Sequence, residues 1–359
     1  MAFNFKTVDL QLFGAGDTVH STEAYVNAND PAQSAAYTQD GGLSAEMKTF
    51  YDKTLIEFAG PALVFDQFAQ KRPIPKNGGK TIEFRKFNAL PKAMTPITEG
   101  VTPSASKLSV VPVTATVDQY GDYVELTDMI ELTSVDPIVV EATKQLADQA
   151  GRTIDTVVRN QIMGGTNVNY CPVVSEDGTE TEVTSRKDLT ADCKLRVKDV
   201  FRAAAQLKAM NAPTIDGSYV AIIHPYVAFD LMQDAKGQWL DIQKYTDPKN
   251  ILRGEIGTLG GVRFVQTTEA KIYTGDEGGK DGCSVFCTLF IGANAYGTTD
   301  IAGGGIEHIV KQKGYGNDPL NQRSSVGWKA TKVATRLVEE YMLRVESGSS
   351  FSSTVAEAN

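Results

Sequence analysis

The chain has 359 residues, 42% of them apolar and 22% charged, with 44 carboxylates against 35 Lys and Arg and a net charge of −9. That length holds one large or two medium domains with ample core, and the acidic balance argues against a protein whose main work is neutralising nucleic acid. No apolar run approaches the ~20 residues of a membrane-spanning helix, the N-terminus lacks the long apolar stretch of a secretory signal, and Cys171, Cys193, Cys283 and Cys287 form neither a CxxC pair nor a disulfide framework, which favours the cytoplasm.

Residues 1–43 are rich in Ala, Gly, Asn, Gln, Ser and Thr, which predicts a flexible arm. Ser44 opens a helical stretch with Met47, Phe50, Tyr51 and Leu55 on one face. Pro61 ends or kinks it, and a short second segment completes the first helix region, residues 44–70.

From Lys71 the period changes. Thr81 to Phe87 alternates, Ile82 and Phe84 against Glu83 and Arg85. Leu108 to Asp128 is rich in Val, Thr and Tyr, as strands are. Pro91, Pro96, Gly100 and Pro103 between them mark a long tip. Residues 71–117 therefore read as an extended two-stranded hairpin. Such a hairpin is marginal alone in water, so it must lie on the parent domain or on another copy of the chain. It is also basic: Lys71, Arg72, Lys76, Lys80, Arg85, Lys86 and Lys92 face only Glu83 in that span. Opposite-sign segregation can register one copy against another, although a solvated loop would carry the same charges. The cations lack the aromatic interleaving of a nucleic-acid surface.

The longest regular stretch runs from Asp136 to Gly165. Asp136 suits an N-cap, Pro137 the first helical position, and Gly164-Gly165 the end. Val139, Leu146, Ala150, Ile154, Val157 and Ile162 recur at helical spacing. A helix over 137–163 would run roughly 40 Å and serve as a spine for an α+β domain.

Asn167 to Leu189 reads as a polar surface insertion. Thr190 can cap a second helix, with Leu195, Val200, Ala204 and Leu207 on its apolar side, that stops at Asn211 to Pro213. Ser218 to Pro225 is a short buried strand, and Pro225 opens a brief helix. Ile251 to Ala270 reads as a helical turn, a Gly-rich turn and a strand over Val262 to Thr267. Cys283 to Gly292 and Gly305 to Gly314 are further strands. Tyr315 to Lys329 is a loop, Ala334 to Ser347 a last strand, and 348–359 a frayed tail.

No cluster suggests catalysis. His20, His224 and His308 are dispersed without a second ligand at metal spacing, and His224 suits a cap for the helix at Pro225. Cys283 and Cys287, four apart in one expected strand, read as small buried side chains. Gly254 to Gly261 precedes a strand, the wrong order for a dinucleotide fingerprint. Asp128 with Glu131, and Glu339 with Glu340, are carboxylate neighbours on which nothing converges. Catalytic, cofactor and metal residues are all expected to be absent.

The order of elements resembles the major capsid proteins of tailed bacteriophages, a fold shared with encapsulin compartments. Gly254 to Thr267 (GEIGTLGGVRFVQT) and Asn317 to Lys329 (NDPLNQRSSVGWK) are similar to segments of the N4-like podovirus branch. The resemblance spans roughly Ser44 to Val345. It implies a flexible arm (1–43), a first helix region (44–70), an extended hairpin lying over a neighbouring subunit (71–117), a peripheral domain (118–217 and 324–347) with spine helix 137–163, an axial domain (218–323) and a flexible tail (348–359). It further implies a structural, non-enzymatic protein that assembles through pentamers and hexamers into an icosahedral shell. That shell would enclose double-stranded DNA without sequence-specific binding, and form in the host bacterial cytoplasm without a membrane. The arm is too short for the scaffolding domain some members carry, so the resemblance implies a separate scaffold or assembly without one; a portal and a decoration protein are the other partners it allows. Phe84, Arg85, Lys86 and Phe87 are the expected subunit contacts, and replacing both phenylalanines by Ser should impair assembly without unfolding the subunit. An encapsulin-like compartment, and an α/β ligand-binding protein or enzyme, are the alternatives.

Overall fold

The structure is a computed structural model that describes residues 63–87, 90, 92–97, 99–102, 104–133, 138–175, 177–235, 240–241, 254–300, 305–314, 318–352 and 359. The expected arm, the helix from Ser44, and the Asp136-Pro137 cap lie outside the described residues. In chain order the strands are β1 (Gln70–Lys71), β2 (Thr81–Phe87), β3 (Val110–Thr116), β4 (Asp118–Thr127), β5 (Val168–Tyr170), β6 (Val173–Val174), β7 (Glu180–Thr181), β8 (Tyr219–Ile223), β9 (Leu240–Asp241), β10 (Glu255–Leu259), β11 (Val262–Gln266), β12 (Ile272–Tyr273), β13 (Val285–Ile291), β14 (Tyr296–Thr299), β15 (Glu307–Lys311), β16 (Arg323–Arg336) and β17 (Met342–Ser347). The helices are α1 (Asp128–Thr133), α2 (Ile138–Met163), α3 (Val197–Ala209) and α4 (Pro225–Ala235). The class is α+β, and α2 is the expected spine.

The chain divides into two compact units, one containing Gln119–Thr153 and Gly303–Thr331, the other Leu63–Asp118, Ile154–Ala302 and Lys332–Asn359. The larger unit is built on a sheet of order β5-β17-β13-β8-β11-β10-β9, with β12 on β13. A sheet covered on both faces reads as continuous apolar sequence, because successive side chains point to opposite sides. In β8, Tyr219, Ala221 and Ile223 enter one core with Leu207, Phe264, Phe286 and Phe290. Val220 and Ile222 enter the other core with Phe65, Val158, Ile162, Leu289 and Ile291. Period two is thus what gives one strand two cores.

The smaller unit contains α1, most of β4, β15, and parts of α2 and β16. β15 pairs antiparallel with β16 from Glu307↔Lys329 to Lys311↔Ser325, and β4 also pairs β16. Gly121 permits that contact, because a Cβ there would sit 2.6 Å from the carbonyl of Trp328. Trp328 Nε1 donates to Gln149 Oε1 at 3.2 Å, and Gln149 Nε2 donates to Asp122 Oδ2 at 2.6 Å, tying helix to strand.

Several expectations change. The extended stretch expected over Leu108 to Asp128 divides into β3 and β4: the Val117 N–H donates to the Lys80 carbonyl as the last rung beside β2, and β4 then pairs β16. The helix expected from Thr190 starts only at Val197, where Asp234 accepts the Val197 N–H at 2.9 Å and Asp199 accepts that of Arg196 at 3.2 Å. Residues before it are drawn into a bridge between Lys194 and Gly348. The helical turn expected at Ile251 lies outside the described residues, and the Gly-rich turn expected over Gly254 to Gly261 contains β10, which joins β11 through Gly260-Gly261, both with positive φ (62° and 81°), the backbone a tight hairpin turn requires. Cys283 lies ahead of β13 and is half-buried, so only Cys287 occupies the strand. Finally, the loop expected over Tyr315 to Lys329 already contains the start of β16, and the expected last strand is divided. β16 ends at Arg336, a turn around Glu339–Tyr341 intervenes, and β17 joins the other sheet.

Candidate assembly interface

The extended hairpin forms with the register its alternation predicts. β2 pairs antiparallel with β3 from Thr81↔Thr116 to Phe87↔Val110. Its root packs on its own body. Phe84, 4% exposed, lies on one face with buried Ala115 and Val117. Its ring edge would be 2.9 Å from a Cβ placed on Gly297, and Leu337 reaches the same point. A small groove runs beside the ring, lined by Gln70, Arg72, Arg85, Lys86, Asn294 and Val338 among others.

Away from the root the hairpin is uncovered. Met94 is 81% exposed, Ile97 76% and Leu108 69%, and Leu90, Val101, Val110 and Val111 are exposed as well. Side chains of this size bury apolar area worth about 25 cal/mol per Å² when covered, and nothing in the described chain covers them.

The four expected contact residues therefore divide. Phe84 faces its own chain, so the expectation that Ser there leaves the subunit intact is corrected: the ring belongs to the fold. Arg85 is exposed and bonds Glu83 at 2.9 Å. Lys86 reaches Glu340 at 3.4 Å, which holds the Glu340 carboxyl below its usual range together with a backbone hydrogen bond that acts more strongly. Phe87 ends β2. Alternation in sequence found the face that Phe84 occupies but not its cover, which comes from Gly297, more than two hundred residues away.

The carboxylates set aside in sequence have structural tasks. Glu339 Oε1 accepts the N–H groups of Thr166 (2.6 Å) and Asn167 (3.4 Å) just beyond α2. Asp128 Oδ1 accepts the Met129 N–H at the start of α1. Buried Glu346 accepts two 2.7 Å hydrogen bonds from Arg186. His224 Nδ1 accepts the Tyr226 N–H at 3.2 Å, the expected cap on α4, and burial lowers its pKa to about 4, so it is neutral. Burial likewise pushes the Cys171 and Cys287 thiols up, away from reactivity. Among the described residues no group of His, Cys, Asp and Glu is arranged to hold a metal ion, and no helix is long and apolar enough to cross a membrane.

A two-sided sheet, a spine helix and a hairpin whose distal half is apolar and uncovered define a protein of the shell-building class. The same fold is found in solved viral shells. The capsid of Ralstonia phage GP4 matches with a TM-score of 0.62 at 15% identity, over 80% of this chain and 88% of that one. The capsid of cyanophage P-SCSP1u matches at 0.57 and 14% identity, over 80% and 88%. The capsid of cyanophage Pam1 matches at 0.56 and 14%, over 79% and 89%. No curated protein matches by sequence. The family model described as phage capsid protein matches residues 110–343. The chain belongs to the phage capsid protein family, a family of structural proteins.

Proposed function

We propose that this chain is the main subunit of a tailed-phage head, assembling through pentamers and hexamers into an icosahedral shell around double-stranded DNA. The observation that carries the reading is the hairpin: root seated on its own body, distal half apolar, basic and uncovered. Such a limb is satisfied when it lies over a neighbouring copy, and Arg85 and Lys86 stand at the edge of that contact. A net charge of −9 suits a container that packs and releases DNA without gluing to it. In this reading the smaller unit, with α2, is the peripheral part and the eight-stranded sheet the axial part. β17 pairs with β13 and β5, so residues 342–347 belong to the eight-stranded sheet. Assembly takes place in the host cytoplasm, with a separate scaffold, portal and decoration protein as further partners. No observation favours an encapsulin-like compartment or an enzyme.

Purified full-length chain examined by negative-stain microscopy over a range of salt should show rings or closed shells. Replacing residues 92–107 by a short Gly/Ser linker should abolish them and leave a folded subunit. A wild-type chain that stays monomeric throughout, or a linker variant that assembles normally, would overturn the reading.

A further inference from the structure

We propose that the turn from Thr267 to Ile272 is a binding site for a primary carboxamide, and that Asn359 fills it to close the open edge of β12. The shell reading does not require this site, and the site is tested on the unassembled subunit.

The turn is held in shape from behind. The Thr267 N–H donates to the Ile223 carbonyl at 3.1 Å, and the Glu269 N–H to Thr267 Oγ1 at 3.1 Å. The Glu269 carbonyl accepts Nη1 of Arg159, a buried side chain of α2, at 2.7 Å. On the inner side of β12 the Cys287 N–H donates to the Lys271 carbonyl at 3.0 Å, next to the pairs Ile272↔Phe286 and Tyr273↔Val285. Successive residues of an antiparallel strand turn their backbone groups to opposite edges. The Ile272 N–H therefore faces away from β13, which is the one strand partner of β12 among the described residues.

Asn359 meets that edge with its side chain. Its Oδ1 accepts the Ile272 N–H at 2.9 Å, and its Nδ2 donates to the Ala270 carbonyl at 2.8 Å and the Thr268 carbonyl at 3.2 Å. Lys271 Nζ donates to the main-chain carbonyl of Asn359. A carboxamide has one acceptor oxygen and two N–H donors, which is what one N–H and two carbonyls demand. A carboxylate accepts only, so one of its oxygens would oppose both carbonyls. A carboxamide also carries the donor and acceptor of a peptide group. It occupies Ala270 and Ile272 as a rung of a neighbouring strand would. Unpaired edge groups are a template on which a second chain adds, and this side chain covers them without extending the sheet.

The sequence reads 348–359 as a frayed tail, yet its described residues are held. Asp230, buried on α4, accepts Ser349 Oγ at 2.7 Å, the Ser350 N–H at 2.9 Å and Ser350 Oγ at 2.7 Å. The Phe351 ring stacks on Tyr226 with centroids 4.6 Å apart. Asn359 is a separate attachment to the same compact unit.

The test is hydrogen exchange at the Ile272 amide in the full-length, unassembled subunit. Asn359→Ala should speed that exchange by about tenfold or more, because the N–H loses its acceptor and opens to water. Asn359→Asp, nearly the same shape, should speed it to a similar degree. The Cys287 amide, on the inner ladder, should keep its wild-type rate in both variants. An unchanged Ile272 rate in Asn359→Ala would overturn the site. An Asp that protects Ile272 as well as Asn would overturn its preference for a carboxamide. If Ile272 and Cys287 accelerate together, Asn359 secures the whole of β12 instead of filling one site, and the proposal falls. Circular dichroism checks that the variants fold. Should one fail to fold, the wild-type chain answers by NMR with 15N-labelled Asn: the Asn359 Nδ2 protons exchange more slowly than those of a free amide if the site is filled, and at the free rate if it is not.

Discussion

Asp155, on α2, accepts the backbone N–H of Phe65 at 2.8 Å, so the spine helix holds the described start of the chain through one buried carboxylate. The Tyr296 hydroxyl donates to the carbonyl of the same Phe65. Next to it, Asp66 is paired with Lys332 at 2.7 Å and Lys71 at 2.8 Å. Burial pushes Asp66 up, but the two ammonium groups outweigh it and hold it below the usual carboxylate range. Asp155 has no such cation in contact, and burial raises it to about 7.

The sign of the resulting pH dependence follows. In the unfolded chain Asp155 titrates near its ordinary value, about 3.9. Between there and about 7 the folded state keeps a proton that the unfolded state has lost. Folded stability therefore falls as pH rises through that window, by up to about 1.4 kcal/mol per pH unit, and levels off above it. Asp155→Asn retains an oxygen acceptor for Phe65 and cannot ionise. The unfolding free energy of the variant minus that of wild type, measured on unassembled subunit, should climb from about pH 4 to about pH 7 and then flatten. The Asp66 contribution runs the opposite way, present above its unfolded value and lost in acid, and cancels in the difference. A difference that stays constant with pH would show that Asp155 is not the titrating group.

Phe84 and Gly297 should behave as one unit. The ring is buried and its edge occupies the space a Cβ on Gly297 would need. Phe84→Ala should cost about 3 kcal/mol, the usual effect of emptying a buried aromatic site. Gly297→Ala should cost about 1–3 kcal/mol, since the ring must move. The double variant should be more stable than the sum of the two losses implies, because the new methyl enters the vacated space. A double-mutant cycle by chemical denaturation reads this directly. Strict additivity would mean that the two positions do not touch.

How much of this was legible beforehand depends on what each signal encodes. The spine helix and β8 were readable, because period 3.6 and an unbroken apolar run are local properties. The β2–β3 hairpin was readable for the same reason. Its division into a seated root and a bare distal half was not, since Gly297 gives no local sign that Phe84 lies against it. The break after Arg336 was hidden because Leu337, Tyr341, Leu343 and Val345 keep a strand-like alternation across the turn. There the N–H groups of Leu337 and Val338 both go to the carbonyl of Ala295, a tertiary choice that alternation cannot express. The start of α3 was misplaced because Thr190 is a good cap by type, whereas Asp199 and Asp234 provide the acceptors. The interface residues were legible as charge, and only partly as contact.

Glu346 gives the sharpest stability prediction. It is fully buried in β17, bonds Arg186 through both oxygens and lies 2.9 Å from Arg344. Arg186 also lies over the Tyr273 ring, 3.5 Å from its centroid. The carboxylate hydrogen bonds hold the Arg186 guanidinium still more firmly charged, against the opposing effect of burial. Removing one partner of a buried ion pair leaves the other uncompensated, at about 3–5 kcal/mol. Glu346→Ala strands two guanidiniums and should fall at the top of that range. Arg186→Ala should cost less, because Arg344 still faces the carboxylate and Arg186 itself is partly open to water. Urea denaturation of the two variants as unassembled subunits decides the order. If Arg186→Ala were the more damaging, its packing on Tyr273, and not the charge of Glu346, would be what secures this edge of the sheet.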